Sequence, residues 1–271
     1  MNTIRIFLLS MVLTGMVCPD VAFPQASHDA VFKEDLSVGL QVTADYFTQP
    51  LNWNSTDWWR FGGVTALTLG TMSVDAAVRD FGKFRDLQNE PFLYRFGRWA
   101  GHGKNIFILS AGLYGAGLFG ENPDVRIAGR DLFAAFVTAG TVTTILKTAI
   151  GRYRPYREAG PFKFEPLGLN NYRRALPSGH STLGWLTAGV LAKSVNSSLL
   201  KVVFYSGAAV ISASRIYHDK HWLSDVILGG IIGYTAADFV VRQGRQLDEK
   251  RQAQTQYGFV HPQVFSFQVR F

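Results

Sequence analysis

Long apolar stretches that lack strand-like alternation constrain the fold of this chain most. They lie at about 61–78, 105–120, 131–150, 181–195, 199–215 and 223–241. Their Ala, Leu, Val, Phe and Gly content and their length favour helices over strands. The sequence therefore predicts an all-α protein, a helical bundle of about six core helices with its functional residues at the helix ends.

The apolar stretches leave membrane insertion open. Each is at or just below the length that a bilayer requires, and charged residues such as Asp75, Lys147, Lys201 and Asp238 interrupt several of them. The mean hydropathy of +0.07 is high for a soluble protein and low for a chain that is mostly transmembrane. The helices therefore suit either a membrane-embedded or a soluble bundle, and we expect a protein that is integral to the membrane or associated with it.

The chain divides into four predicted regions. Residues 1–26 combine Arg5 with an apolar core and indicate a signal peptide or an N-terminal anchor, hence export to a bacterial cell envelope with a periplasm-facing site. Residues 27–60 form an N-terminal extension, 61–241 the helical domain, and 242–271 a C-terminal tail. The end of the tail alternates in hydropathy like an edge strand. Cys18 is the only cysteine, so a mature chain has neither a disulfide nor a cysteine metal site.

The net charge of +7 predicts anionic partners. Phosphate groups and a membrane surface suit this charge. Nucleic acid is not expected, because the basic residues do not gather into one stripe with interleaved aromatic residues.

The first motif is KTAIGRYRPY at 147–156. Lys147 and Arg154 are seven residues apart, and Pro155 predicts that the helix ends at or before Arg154. The two cations can converge on one anion, as a point charge and a planar fork. Alternatively, they are interfacial cations that keep their charged groups in water.

The second motif is PSGH at 177–180, at the start of an apolar helix. The free N–H groups and the dipole of such a helix suit an anion, Ser178 can donate a hydroxyl, and Gly179 permits close approach. His180 can transfer a proton near neutral pH. The alternative is an ordinary helix cap made by Ser178 or Ser181.

The third motif is SRIYHDKHWLSD at 214–225. His221 and Asp225 are four residues apart and share a helical face, so the carboxylate can accept a hydrogen bond from one imidazole nitrogen. Arg215 can hold an anion. His218 and Asp219 resemble a second such pair, and the two histidines could be a metal site, although a third well-spaced ligand is missing.

Taken together and in this order, the three motifs resemble the signature of the type 2 phosphatidic acid phosphatase and vanadium haloperoxidase superfamily, over about 131–241. The resemblance implies that His221 attacks phosphorus, that Asp225 orients it, and that His180 protonates the leaving oxygen. It also implies a phosphate site without a metal cofactor. That site would comprise Lys147, Arg154, Ser178, Gly179 and Arg215.

The resulting prediction is a metal-independent phosphatase that hydrolyses phosphate monoesters or diphosphates, with lipids such as phosphatidic acid, phosphatidylglycerol phosphate, undecaprenyl diphosphate or lipid A as candidate substrates. Two alternatives remain: a haloperoxidase with vanadate in the phosphate site, and an envelope protein that binds phospholipid without turnover. The basic, aromatic loop 151–177 is either a funnel for anionic head groups or a segment anchored to the bundle.

The membrane topology contains a conflict. If a leader exports residue 27 and the segments at 61–78, 105–120 and 131–150 all span, the first motif lies on the cytoplasmic side. This orientation contradicts a periplasm-facing site.

Overall fold

A computed structural model describes residues 27–81 and 89–258, and this part of the chain is all-α, as predicted. It contains nine α-helices instead of about six. They are α1 His28–Thr48, α2 Ser55–Met72, α3 Asp75–Phe81, α4 Phe92–Ala100, α5 Gly103–Phe119, α6 Pro123–Ile150, α7 Gly179–Lys193, α8 Ser198–Tyr217 and α9 Leu223–Gly258. Three 3-10 turns, Gln49–Asn52, Pro155–Arg157 and Asn171–Arg173, lie in the connections. Residues 1–26 and the predicted edge strand fall outside the described residues.

The helix count exceeds the prediction because polar segments also become helical. The extension 27–60 contains α1, and the predicted helix 61–78 is two helices, α2 and α3, that meet at a bend of 51°. The last apolar helix does not stop near residue 241 but continues as α9 into the region assigned to a tail. Its polar half packs on α1, so tertiary contacts support it.

Helix α2 begins with a capping box. Asn54 is the cap, and its side chain accepts hydrogen bonds from the backbone N–H groups of Thr56 and Asp57. Asp57 accepts a hydrogen bond from the Asn54 N–H in return, which completes a capping box.

The core lies between α6, α7 and α9. Leu132, Leu186 and Val240 have no exposed surface and belong to one apolar cluster. Buried alanines such as Ala135 and Ala236 lie in the same cluster and permit close helix packing. The central position of α7 fixes its first residues, which include the second motif, relative to its neighbours.

Six helices, α2 and α5 to α9, alternate in direction between the two ends of the bundle. The end of α6, the start of α7, the end of α8 and the start of α9 meet at what we call the motif end, where α3 also packs. Gly101, just before α5, touches His180 at the motif end, whereas Gly117 near the end of α5 touches Arg126 at the opposite, distal end. Residues 27–54 are held at the distal end, since Asp45 bonds Gln243. Three helices, α2, α5 and α6, therefore separate residues 27–54 from the first motif.

A buried ion cluster holds the distal end together. The Arg130 guanidinium makes two hydrogen bonds of 2.8 Å to Asp248, and one of 3.0 Å to Asp131. Asp35 of α1 lies 3.4 Å away from the same guanidinium. The cluster joins α1, α6 and α9, far from the three motifs.

Within the described residues, three helices are long and apolar enough to cross a membrane: Pro123–Ile150, Ser198–Tyr217 and the stretch Leu223–Gln254 of α9. The bent pair α2 and α3 adds a fourth if it forms one span.

Helices α5 and α6 approach each other through glycines. A Cβ added at Gly129 would lie 2.3 Å from the Tyr114 backbone nitrogen, and one at Gly117 would lie 2.2 Å from the Arg126 nitrogen. Gly140, also on α6, has nothing within 4 Å of such a Cβ. The contact therefore tolerates no side chain at Gly129 or Gly117.

We expect Gly129→Ala to destabilise the bundle by about 2 kcal/mol, because the two backbones must separate. Gly140→Ala is the matched control on the same helix and should be neutral or stabilising by up to about 1 kcal/mol through helix propensity. Thermal unfolding of the purified chain in detergent measures both. Equal midpoints for the two variants would contradict the packing argument.

Candidate functional site

His221 lies in the turn just before α9 and is buried. Its Nδ1 donates a hydrogen bond of 2.8 Å to the carbonyl oxygen of Ala175. The Asp225 carboxylate lies 3.6 Å from the same nitrogen, beyond hydrogen-bond length. The bond that the spacing predicted between His221 and Asp225 is therefore made by Ala175 instead. Either acceptor fixes the same tautomer, with the lone pair on Nε2.

The Asp225 oxygens are used by other donors, which explains this difference. One oxygen accepts a hydrogen bond of 2.8 Å from the Trp222 N–H, and the other accepts one of 2.7 Å from Arg152. Asp225 therefore fixes the first turn of α9 and, through it, the backbone that carries His221. Its contribution to His221 is positioning through the backbone together with its nearby negative charge.

Arg152 is the centre of a buried ion cluster at the motif end. Its guanidinium is fully buried and bonds Asp75 of α3 and Asp225 of α9, each at 2.7 Å. Asp75 also accepts hydrogen bonds from the Ser224 N–H at 2.9 Å and from the Ser224 hydroxyl at 2.5 Å. Two carboxylates around one guanidinium satisfy the geometry that a buried charge requires. The cluster joins α3, the loop after α6 and α9.

His180 occupies the first turn of α7. Its imidazole lies close to the backbone of Arg98 and contacts the His102 ring, with centroids 4.9 Å apart. The Nε2 atom of His180 is buried and has no hydrogen-bond partner among the described residues. Each of the two histidines is thus held through a backbone contact.

The second motif forms a helix cap and also lies beside a cation, so the two alternatives from the sequence do not exclude each other. Ser178 caps α7, with its hydroxyl oxygen accepting from the Ser181 N–H at 3.4 Å and from the Ser181 hydroxyl at 3.0 Å. A Cβ at Gly179 would lie 3.6 Å from Cε of Lys147. The side chain of Lys147 therefore passes directly over the start of α7, where free N–H groups suit an anion.

The three predicted cations converge on this place. Lys147 donates a hydrogen bond of 2.8 Å to the Arg174 carbonyl, and Arg154 donates one of 3.0 Å to Asn171. The Nε atoms of Arg154, Arg174 and Arg215 are buried without a hydrogen-bond partner in the described part of the chain. Buried donors without acceptors are costly, and an anion bound among these cations would supply acceptors for them.

The charge interactions show that these groups share one site. Burial lowers the pKa of His221 well below its usual range, and Lys147, Arg154 and Arg215 lower it further. Burial also lowers the pKa of His180, to about 2, with contributions from Arg215, His102 and His221. Without a bound anion, both imidazoles are therefore neutral at pH 7.

The loop 151–177 differs from an open basic funnel. Arg152 points inward, as described, and Arg173 bonds Glu165 at 2.8 Å. Arg157 lies over the Tyr172 ring, 4.6 Å from its centroid. Most of these cations therefore anchor the loop to the bundle, which was the second interpretation of this loop from the sequence. Arg154 and Arg174 instead lie among the cations of the candidate site.

Asp75, Arg152 and the Ala175 carbonyl belong to the site and were not predicted as site residues. Asp75 was visible only as a charge that interrupts an apolar stretch, and a carboxylate at such a position needs a buried partner. Arg152 precedes Arg154 by two residues and could not be distinguished from it by spacing. A backbone carbonyl carries no side-chain signal.

The second His–Asp pair of the third motif is used elsewhere. Nε2 of His218 lies 2.7 Å from Glu90, and Asp219 makes a bidentate ion pair with Arg79 at 2.9 Å. Within the described ranges, no group of three His, Cys, Asp or Glu side chains is arranged to hold a metal ion.

Residues 128–248 match the sequence profile of the PAP2 superfamily. This part of the chain is therefore a PAP2 superfamily domain, and the resemblance carried by the three motifs is confirmed. The matched range covers α6 to α9 and contains all eight predicted site residues.

Three characterised relatives match over part of their length. Two lipid A 1-phosphatases, from Rhizobium johnstonii and Rhizobium etli, are each 34% identical over 107 residues, which is 39% of this chain and 43% and 45% of theirs. A PA-phosphatase related-family protein from Dictyostelium discoideum is 27% identical over 131 residues, 43% of this chain and 48% of its own. The chain thus spans less than half the length of these relatives. No solved structure matches it with significance.

The lowered histidine pKa values predict a stability that decreases with acidity. In the unfolded chain, histidine binds a proton at about pH 6.5, whereas His180 and His221 stay neutral in the fold. Their contribution to the free energy of unfolding is therefore retained above about pH 6.5 and lost below it. The loss is up to about 1.4 kcal/mol per pH unit for each histidine. We expect His221→Gln to flatten the decline of the thermal unfolding midpoint between about pH 7 and about pH 5. Exposed His28→Gln is the control. An unchanged slope in His221→Gln would contradict burial of a neutral imidazole.

Proposed function

We propose that this chain is a phosphatase that hydrolyses phosphate monoesters or diphosphates of lipids through a phosphohistidine intermediate. The observation that carries the proposal is the cluster of two backbone-held imidazoles among cations whose buried N–H donors lack acceptors. A tetrahedral phosphoryl group supplies several acceptor oxygens and negative charge at once. The superfamily assignment and the relatives' names support the same chemistry.

In the first step, Nε2 of His221 attacks phosphorus, and the bond from phosphorus to the leaving oxygen breaks. The Ala175 carbonyl holds the proton on Nδ1 and so keeps the lone pair on Nε2. Lys147, Arg154 and Arg215 neutralise the equatorial oxygens, where charge is spread in the transition state. The start of α7 adds its N–H groups to this set.

His180 provides the proton for the leaving oxygen. Burial and the nearby cations keep the pKa of His180 low, so His180 takes up a proton from solvent when the dianionic phosphate binds and raises that pKa. It then donates this proton to the leaving oxygen. In the second step, His180 accepts a proton from water, the water oxygen bonds phosphorus, and the bond from phosphorus to Nε2 breaks. Inorganic phosphate leaves and His180 releases its proton to solvent, which returns both histidines to their starting states.

The surface beside His180 supports a lipid substrate. Helix α4 ends next to Gly101, which touches His180, and it exposes Phe92, Leu93 and Trp99 by 61%, 57% and 48%. Their spacing of one, six and seven residues places them along one helical face. An exposed apolar face of this kind suits the membrane interface, where an aromatic ring lies at the level of the headgroups. A lipid headgroup would thus meet the catalytic histidine at the membrane surface.

The membrane arrangement follows from the alternating helices. We place the bundle across the bilayer, with the long apolar helices α6, α8 and α9 as spans and α2, α5 and α7 alongside them, so that the motif end and residues 27–54 lie on opposite faces. A periplasm-facing site then requires residues 27–54 to lie on the cytoplasmic side. A leader cleaved before residue 27 would place them on the other side, so residues 1–26 are compatible with this arrangement only if they do not export residue 27.

We expect His221→Gln to lower phosphate release by at least about 10³-fold, because the nucleophile is removed. His218→Gln is the matched control, a neighbouring histidine bonded to Glu90, and should keep activity within a few-fold. The assay compares phosphatidic acid, phosphatidylglycerol phosphate, undecaprenyl diphosphate and lipid A in the presence of a chelator. A covalent phosphoryl adduct that is stable in alkali and labile in acid should be trapped in wild type and not in His221→Gln. Full activity of His221→Gln, or activity that requires an added metal, would overturn the proposal.

Asp75 is a positioning residue for this reaction. We expect Asp75→Asn to lower kcat by about tenfold or more with little change in KM, because a small misplacement of catalytic groups is costly while the phosphate contacts remain. The variant should also destabilise the fold, by up to about 3 kcal/mol, since Arg152 keeps only one carboxylate. Asp124→Asn makes the same chemical change at an exposed site on α6. A purely structural role would lower Tm and leave kcat of the folded fraction intact.

A further inference from the structure

A second cationic recess lies at the distal end of the bundle, far from His221. It has a volume of about 600 Å³ and lies where α7 ends, α8 begins and α9 passes. Four cationic side chains line this distal groove, namely Lys193, Lys201, Arg242 and Arg245, together with Tyr205 and Glu249. It shares no residue with the proposed active site.

The charges in the distal groove are only partly compensated. Lys193 and Arg242 both bond Asp238 at 2.7 Å, so one carboxylate serves two cations. The side chains of Lys201 and Arg245 have neither an ion pair nor a hydrogen bond within the described part of the chain. Glu249 is the remaining carboxylate of the lining. The groove is therefore net positive and retains donors for an anion, and the planar guanidinium of Arg245 suits a phosphate.

The position of the groove points to a lipid anion. It lies at the start of α8 and beside the second half of α9, about 20 residues into that helix, which is the length that a bilayer requires, and so at headgroup depth. The first turns of α8 expose Leu199, Val202 and Val203 by 68%, 61% and 44%, directly beside Lys201. An acyl chain can follow this apolar face while the headgroup stays among the cations. Basic recesses between membrane helices bind anionic headgroups in this way.

We propose that the distal groove binds the phosphate headgroup of an anionic phospholipid from the leaflet opposite the active site. We assign it a binding role only, since its lining contains no histidine and shares no residue with the proposed active site. The inference rests on the proposed membrane insertion, but it does not depend on the reaction. Its occupant would tie the end of α7 to α8 and α9 and stabilise the bundle.

The test uses the full chain in neutral detergent micelles doped with phosphatidylglycerol or phosphatidylcholine. The readouts are the thermal unfolding midpoint and the lipid retained by native mass spectrometry. We expect phosphatidylglycerol to stabilise wild type and phosphatidylcholine to have little effect. In Lys201→Gln/Arg245→Gln the apparent Kd for phosphatidylglycerol should rise at least fivefold. Lys33→Gln/Lys250→Gln, which removes the same charge at exposed positions, should resemble wild type.

Further arms separate the sources of phosphate and the two sites. His221→Gln should retain phosphatidylglycerol as wild type does, and Lys201→Gln/Arg245→Gln should keep phosphate release from a soluble ester, so failure here is distinguishable from failure of the proposed reaction. Equal retention by the two double variants, or equal stabilisation by phosphatidylcholine, would overturn the proposal. Displacement of the lipid by millimolar inorganic phosphate would show a free-phosphate site and would overturn the lipid assignment.

Discussion

The motif end depends on one buried guanidinium. Arg152 lies between Asp75 of α3 and Asp225 of α9, and its charge is compensated only where all three segments meet. An unpaired charge at this depth costs several kcal/mol, so other arrangements of these segments are strongly disfavoured. The same contacts fix the first turn of α9 and with it the backbone of His221. The position of the proposed nucleophile is thus a consequence of an ion cluster that contains none of the proposed phosphate ligands.

The site separates two tasks that a catalytic His–Asp pair usually combines. The Ala175 carbonyl selects the tautomer of His221, whereas Asp225 holds the helix start and supplies negative charge nearby. The cationic side chains contribute positive charge and buried N–H donors that have no acceptor among the described residues. Neutral imidazoles are not repelled by the neighbouring cations, and a bound dianion would compensate the positive charge of those cations. The empty site is therefore prepared for the charge distribution of the bound state.

The sequence predicted the elements that spacing and composition can encode. Apolar stretches located α5, α7 and α8 to within a few residues at both ends and gave the end of α6 and the start of α9. The order of Lys147, Arg154, His180, Arg215 and His221 identified the superfamily. It did not predict α1 or the second half of α9, because their polar residues become helical through contacts such as Arg130 with Asp248. It also missed the Asp75–Arg152 pair, since 77 residues separate two partners that only the tertiary fold brings together.

The position of Asp75 has a consequence for the limits of this domain. The segment that matches the superfamily profile begins at residue 128, so one of the two carboxylates around Arg152 lies more than fifty residues upstream of it. An excised fragment with those limits would carry every proposed phosphate ligand, yet its buried Arg152 would lack one of its two carboxylate partners. The segment that matches the profile is therefore smaller than the structural unit around Arg152, to which helix α3 also belongs.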